Sequence, residues 1–341
     1  IRLEERKNYA YHLSVSNNRK KEIDWESNPG YNVLNGTFNS QGTKIALLCD
    51  YGVKSNSVKK LVILNSMISN NYLKDTLFNI DEIDVNKLIF NPVHPQITVF
   101  ADETASLGES NIVTYNFEDG SKQVFEGHTS GITDVSFNAN GTVMISTSYD
   151  GSLILWDVLS GEQLIRQFIF EGDPNKWVHI HPSGLFDASA EVMGMMYWIM
   201  GLEVIEFSQL KDRYWLPGLW ERVMSGIELP SVENMNELKL YPELAINTID
   251  KNTLSVDLIK REGGYGSVKV LLNGKEISQD ARGANFDSSK KNQNLQIDIK
   301  DHPYLKEGEN KVTVIAASEG GINSRGVEQT IYIDPFEAEL P

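Results

Sequence analysis

Residues 126–157, EGHTSGITDVSFNANGTVMISTSYDGSLILWD, restrict the fold of this chain more than any other stretch. Gly127-His128 opens it and Trp156-Asp157 closes it. Two alternating apolar runs, Ile132–Phe137 and Val143–Ser148, precede a third, Leu153–Trp156. Asn140-Gly141 and Asp150-Gly151 separate the runs, and both dipeptides favour the positive φ that tight hairpin turns require. Alternation at period two turns one face of each run toward a core. Three short antiparallel strands joined by tight turns are therefore predicted.

The pattern recurs upstream. Val33–Phe38 leads through Asn39-Ser40-Gln41-Gly42-Thr43 into Lys44–Cys49 and then Lys60–Leu64. A degenerate copy has Val85–Phe90, Asn91-Pro92, Ile97–Ala101, Ile112–Tyr115 and Asp119-Gly120. Phe38, Phe90 and Phe137 then hold one equivalent position, 52 and 47 residues apart. A half-repeat follows at Trp177–Ile180 with His181-Pro182-Ser183-Gly184, where His181 takes the place of Asn39 and Asn138. Units of this length with four strands each stack side by side in propellers.

From Ala190 the character changes. The stretch to Gly226 is rich in Met, Trp, Tyr and Leu, and its spacing is helix-like. Ser208 is expected to cap a helix through Arg213, and Pro217 to open another through Met224. Trp215 and Trp220 are candidate docking-surface residues, against the plainer expectation of a helical cap buried on the propeller. Residues 227–245 read as a Pro-punctuated linker. Beyond it, Leu254–Ile259, Val268–Leu272, Leu295–Ile299, Lys311–Ala317 and Val327–Ile333 alternate between turn residues such as Asn273-Gly274. Such spacing suggests an immunoglobulin-like sandwich, of the fibronectin-like kind because no cysteine pair exists.

The expected domains are thus 1–189, a partial propeller; 190–245, a helical connector and linker; and 246–335, the sandwich. About three and a half repeats are fewer than a usual closed ring needs, so the ring is expected to be incomplete in this sequence. The start at Ile1, followed by charged residues, leads to the expectation of a trimmed or processed product.

A net charge of −16 argues against nucleic acid as a partner. Arg19-Lys20-Lys21 is a short basic cluster, read as a solvated loop. No apolar run is long enough for a membrane-spanning helix. Cys49, the single cysteine, lies in an apolar run and is expected to be a buried thiol. A reducing compartment, the cytoplasm, is favoured, with export left open.

Residues 126–157 resemble one repeat of the WD-repeat β-propeller family. That resemblance implies that His128, Ser146 (or Ser148), Asp150 and Trp156 form a structural hydrogen-bond relay rather than a Ser–His–Asp hydrolase site. The order of WVHIHPSGLFDAS, LKDRYWLPGL and VKVLLNGKEI…EGENKVTVIAAS resembles the amino-terminal region of bacterial WD-repeat proteins with a carboxyl-terminal caspase-like peptidase. In that family the peptidase follows where this chain stops, after DPFEAELP. Its Cys nucleophile and His base have no matching motif here.

Other candidate chemistry is sparse. His179 and His181 form an H-x-H pair, which on a strand faces one way, with Asp187 or Glu191 as local third metal ligands. The turn position of His181 is the competing explanation. The acidic runs Asp81-Glu82…Asp84 and Asp102-Glu103 lack the order of a calcium loop. No catalytic residue and no cofactor is expected.

The function expected is a non-catalytic protein-interaction scaffold that binds a protein or peptide at the propeller. The family resemblance adds a caspase-like domain in cis, which the scaffold regulates. The alternative is a stand-alone extracytoplasmic binding protein, or a propeller hydrolase acting on glycans or peptides.

Overall fold

The structure, a computed structural model, describes residues 2–6, 10–14, 25–26, 31–51, 58–65, 76–80, 85–101, 110–200, 203–233, 238–248 and 252–334. The basic cluster 19–21 and the acidic residues 81–84 and 102–103 lie outside them. The chain is all-β and propeller-like, with short helices, and divides into two compact units, Ile1–Ile169 and Phe170–Pro341. The boundaries expected at 189/190 and 245/246 are not the ones at which the compact units part.

Unit 1 opens with β1 (Arg2–Arg6), β2 (Ala10–Ser14) and β3 (Trp25–Glu26). Three meanders follow. The first is β4 (Tyr31–Phe38), β5 (Lys44–Tyr51), β6 (Val58–Asn65) and β7 (Thr76–Ile80). The second is β8 (Lys87–Phe90), β9 (Gln96–Phe100), β10 (Ser110–Asn116) and β11 (Lys122–His128). The third is β12 (Ile132–Phe137), β13 (Val143–Ser148), β14 (Ser152–Asp157) and β15 (Gln163–Ile169). Within each, consecutive strands pair antiparallel.

Phe38, Phe90 and Phe137 each end the first strand of a meander, opposite Ile45, Ile97 and Met144 respectively. The turn after each uses the following Asn. Its backbone N–H donates to Lys44, Gln96 or Val143, at 3.0, 3.0 and 2.9 Å. The Asn39 carboxamide oxygen accepts from Thr43 and Lys44, and that of Asn138 from Val143. An Asx side chain thus substitutes for a backbone acceptor in a tight turn.

Apolar clusters join successive meanders. Ala46, Leu48, Leu61 and Ile63 of the first pack with Leu88, Phe90, Ile97 and Val99 of the second. Phe100, Ile112 and Phe125 of the second pack with Ile132, Val135, Met144, Ile154 and Trp156 of the third. Polar bonds tie equivalent positions: Asn35 Nδ2 reaches the Asn86 carbonyl at 3.1 Å, and Lys87 Nζ the Thr133 carbonyl at 2.9 Å. Asn91 Nδ2 donates to the Gly141 carbonyl at 2.8 Å, turn to turn.

Unit 2 contains β16 (Trp177–Ile180), β17 (Phe186–Ala188), α1 (Ala190–Met193), β18 (Tyr197–Met200), β19 (Glu203–Glu206), α2 (Phe207–Tyr214) and α3 (Leu219–Met224). Among the described residues of 190–206 only α1 is helical, and β18 and β19 pair antiparallel. The aromatic and β-branched residues Tyr197, Trp198, Ile199, Val204 and Ile205, which favour strands, outweigh the helix-like spacing of the wider stretch. Glu206, not Ser208, caps α2, through a capping box in which Gln209 Oε1 accepts the Glu206 N–H at 2.9 Å.

The remaining strands form two antiparallel sheets. One holds β20 (Glu243–Thr248), β21 (Thr253–Ile259) and β24 (Asn292–Asp298). The other holds β22 (Val268–Leu272), β23 (Lys275–Ser278), β25 (Gly308–Ala316) and β26 (Val327–Ile333). The expected linker 227–245 therefore ends inside a strand. Leu254, Val256 and Leu258 of one sheet and Val270, Leu272, Val312 and Val314 of the other share one core. The helical segment is fixed to this region: Gln209 Nε2 donates to the Asn323 carbonyl at 2.8 Å, and Asp212 pairs with Lys269 at 2.9 Å. Those bonds hold the connector and the sheets in one unit.

Gly141 has φ +71, and a methyl group there meets the Asn91 carboxamide. Gly141→Ala is expected to cost about 1–3 kcal/mol of unit 1 stability. In the Asn91→Ala background the cost shrinks, because the clash is gone. Denaturant midpoints of the two single variants and the double variant check this.

Candidate functional site

The relay residues come together in unit 1. His128 ends β11, Ser146 lies in β13, Asp150 in the β13–β14 turn and Trp156 in β14. His128 Nδ1 is 2.9 Å from Asp150 Oδ2, and Nε2 is 2.8 Å from Ser146 Oγ. The Trp156 indole donates to Ser146 Oγ at 2.8 Å. His128 is 1 % exposed and Ser146 0 %.

Proton directions follow from the ends of the chain. The ionised Asp150 carboxylate only accepts, so a neutral His128 gives it the Nδ1 hydrogen and takes the Ser146 hydroxyl hydrogen at Nε2, while the Ser146 oxygen accepts the indole N–H. This assigns the Nδ1–H tautomer to His128. Burial lowers its pKa, while the hydrogen bond and charge of Asp150 oppose that shift. For Asp150, burial raises the pKa, but bonds from Ser152, the Thr129 N–H and His128 together bring it to about 2.

Ser148 is not in the chain: its hydroxyl donates to the Ser130 carbonyl at 3.0 Å and accepts the Asp150 N–H at 3.1 Å. Ser152, absent from the expected relay, gives Asp150 Oδ1 a 2.7 Å bond and lies 3.2 Å from His128 Nδ1. Its place after Asp150-Gly151, where an Asx turn receives the Ser152 N–H at 2.8 Å, is the sequence signal for it. Arg166 of β15, also missed, donates to the Gly127 carbonyl.

The order Asp–His–Ser resembles that of a hydrolase triad. Yet Ser146 Oγ already binds both the indole and the imidazole, and no surface of that residue is open to an external substrate. The relay is built to fix strands. His128 belongs to the second meander and its partners to the third, so the chain of bonds joins the two.

Comparison with known proteins bears on this site. The family described as "WD40: WD domain, G-beta repeat" matches residues 120–157. The chain carries a WD40 repeat. It is also similar to the human "WD repeat-containing protein 36", 29 % identical over 159 residues, which is 40 % of this chain. That alignment spans 18 % of the human protein, so the chain covers less than a fifth of this relative's length. The matched repeat takes β11 from one meander and β12–β14 from the next, so the sequence repeat is displaced by one strand from the meander.

In unit 2, His181 repeats the turn geometry of Asn39 and Asn138. Its N–H donates to Leu185 and its carbonyl accepts the Gly184 N–H, each at 2.9 Å. Ring Nδ1 accepts the Ser183 N–H at 3.1 Å, so it is engaged in the turn. His179 lies between two indoles instead, 4.4 Å from Trp177 and 5.2 Å from Trp220. Asp187, opposite His179 across the strands, accepts from the Trp215 indole at 3.1 Å and the Gly218 N–H at 2.8 Å. Glu191 is 3.8 Å from Lys176. Among the described residues no group of three or more His, Cys, Asp or Glu is placed to hold a metal ion.

Trp215 and Trp220 are half-buried and already used, the first also under Lys211 Nζ at 4.4 Å. Exposed apolar groups of unit 2 include Tyr197 and Ile199 of β18, Val204 of β19, Met224 of α3, Ile227 and Tyr332. Cys49 is buried and its thiol is pushed up to about 12 by burial, which leaves it inert as a nucleophile. No described helix is long and apolar enough to cross a membrane.

Trp156→Phe keeps the ring but removes the indole donor, and is expected to cost about 1–2 kcal/mol in chemical denaturation. Because the folded His128 pKa lies below the unfolded one, its contribution is present above about pH 6.5 and is lost as pH falls below it. The Asp150 contribution is present above 3.8 and is lost as pH falls toward about 2. Thermal unfolding of unit 1 from pH 7 to pH 5 should therefore slope downward, and less steeply in His128→Phe.

Proposed function

We propose that this chain is a non-catalytic scaffold that holds a protein partner at its WD-repeat unit. The observation that carries this reading is the WD40 match at residues 120–157 together with a relay sealed inside the unit. A sealed Asp–His–Ser series rigidifies strands and leaves their loops and turns free to recognise a partner. The net charge of −16 favours neutral or basic protein surfaces over nucleic acid. The single buried thiol, Cys49, fits a reducing compartment such as the cytoplasm.

The region 246–335 is read as an immunoglobulin-like sandwich. Two antiparallel sheets that share one apolar core support that assignment. With the order of the preceding segments, it supports a finer reading: this chain is the regulatory part of a larger bacterial protein with a caspase-like cysteine peptidase beyond Pro341. Partner binding at unit 1 would then be transmitted through unit 2 to the peptidase. The chain alone is expected to be silent on peptide and glycan panels, whereas turnover there would favour a hydrolase. Intact mass of the protein in its native cells should exceed this chain by roughly 200 residues, about one ordinary domain. Removal of residues 1–169 should change peptidase kcat/KM at least about threefold, close to 1 kcal/mol of coupling. Unchanged activity would sink the regulatory reading.

A further inference from the structure

His179 of β16 connects that strand to α3 through its ring. The imidazole stacks on Trp177 at 4.4 Å with the planes 28° apart, and Trp220 of α3 meets it at 5.2 Å and 41°. Ring Nδ1 is buried and has no hydrogen-bond partner among the described residues. The hydrogen of the neutral ring is therefore assigned to Nε2, since on Nδ1 it would point at no acceptor.

A proton taken up from water must then go to Nδ1. Both nitrogens of an imidazolium donate, so the new N–H is buried without an acceptor of its own. Asp187, opposite His179 across β16 and β17, is already engaged. Its carboxylate accepts the Trp215 indole at 3.1 Å and the N–H of Gly218, at the start of α3, at 2.8 Å. Protonation of His179 thus leaves either an unmatched N–H beside Trp220 or a carboxylate drawn away from Gly218. Each outcome weakens the attachment of α3.

The surrounding charges do not remove this conflict. Burial lowers the His179 pKa, and the charges of Asp187 on β17 and Glu221 on α3 oppose that shift without cancelling it. Attraction of a cation to the two indole faces works on the side of the carboxylates. Lys176, just before β16, is held by Glu171 and Glu191, and the His181 ring by Ser183.

We propose that the contact of α3 with β16 is a proton-sensitive latch: Trp220 stays on His179 while Nδ1 is bare, and α3 loosens when Nδ1 takes a proton. Docking and protonation oppose each other, so each weakens the other by the same factor. The docked state binds fewer protons. Its hold is present above about pH 6.5 and is lost as pH falls below that value. The latch lies within unit 2 and does not rest on the scaffold reading.

The test is hydrogen exchange of the whole chain at about pH 7.5 and about pH 5.5, corrected for the intrinsic pH dependence of exchange. Protection of the Arg222, Ser225 and Gly226 amides, which bond within and at the end of α3, should fall at least about tenfold at the lower pH. Protection in β21, β22 and β25 should stay level. His179→Phe keeps an aromatic ring that cannot titrate, and should abolish the fall. His181→Asn installs the residue found at the two equivalent turns, and should keep it. NMR titration of the unaltered chain should place the His179 pKa below 6.5, with the Trp220 indole shifting at the same midpoint, which decides the matter if a variant fails to fold. Trp220→Ala should raise that pKa toward 6.5. Equal α3 protection at both pH values, or an undiminished response in His179→Phe, overturns the proposal. So does a His179 pKa at or above 6.5 in the unaltered chain, titration with no change at Trp220, or a pKa that Trp220→Ala leaves where it was.

Discussion

The direction of one hydrogen bond orders much of unit 1. The Trp156 indole can only donate, and the oxygen that receives it belongs to a fully buried serine. With the acceptor-only Asp150 at the other end, it leaves one consistent arrangement: the imidazole hydrogen on Nδ1 and the Ser146 hydrogen on His128 Nε2. Each bond is worth about 1 kcal/mol by itself, but each would leave a buried polar group unmatched if it were broken. The cost of breaking any link is therefore felt by the whole series. The apolar cluster around Phe125 and Trp156, whose rings meet edge to face at 5.7 Å, surrounds this series with a low-dielectric wall.

Unit 2 solves a similar problem with a different device. Asp187 is a buried carboxylate that pairs with no cation among the described residues, and N–H groups of Trp215 and Gly218 satisfy it. Those two residues bracket the sharp passage from α2 to α3, where Gly218 takes a left-handed conformation at φ 72. One side chain on β17 thus sets where α2 ends and where α3 begins. A hydroxyl relay spreads its burden over four side chains, whereas this carboxylate gathers two donors at one point.

The strands of unit 1 were legible because their turns are. Asn39, Asn138 and Asp150 each precede a glycine that accepts positive φ, and the runs between them alternate. Ile132–Phe137 and Val143–Ser148 have the bounds that alternation alone suggests. The last strand of each meander was harder to see, since KQVFEGH and QLIRQFI carry few apolar residues on a single face. Around residues 190–206 the abundance of Met, Trp and Leu imitated a helical period, and the strand preference of Tyr197, Trp198, Ile199, Val204 and Ile205 decided the outcome. Of the site, the four relay residues were visible, but Ser152 was not distinguished from ordinary turn polarity. The partners of Asp187 were invisible for another reason: Trp215 and Gly218 reach it from 28 and 31 residues away, and no spacing rule links such positions.

The offset between the matched repeat and the meander has a bearing on how such chains can change. The matched copy finishes the sheet of the second meander with β11 and begins the next with β12–β14, as overlapping roof tiles do. A tandem duplication of one copy would insert a tile with both laps already cut to fit: a β11-like strand for the preceding sheet and three strands awaiting a fourth. No orphan edge would be exposed at either junction, and the histidine of one copy would still find the serine, aspartate and tryptophan beside it. Copy number becomes a variable that inheritance can alter in whole steps. A boundary drawn at the sheet instead would sever His128 from Asp150 each time a copy was gained or lost.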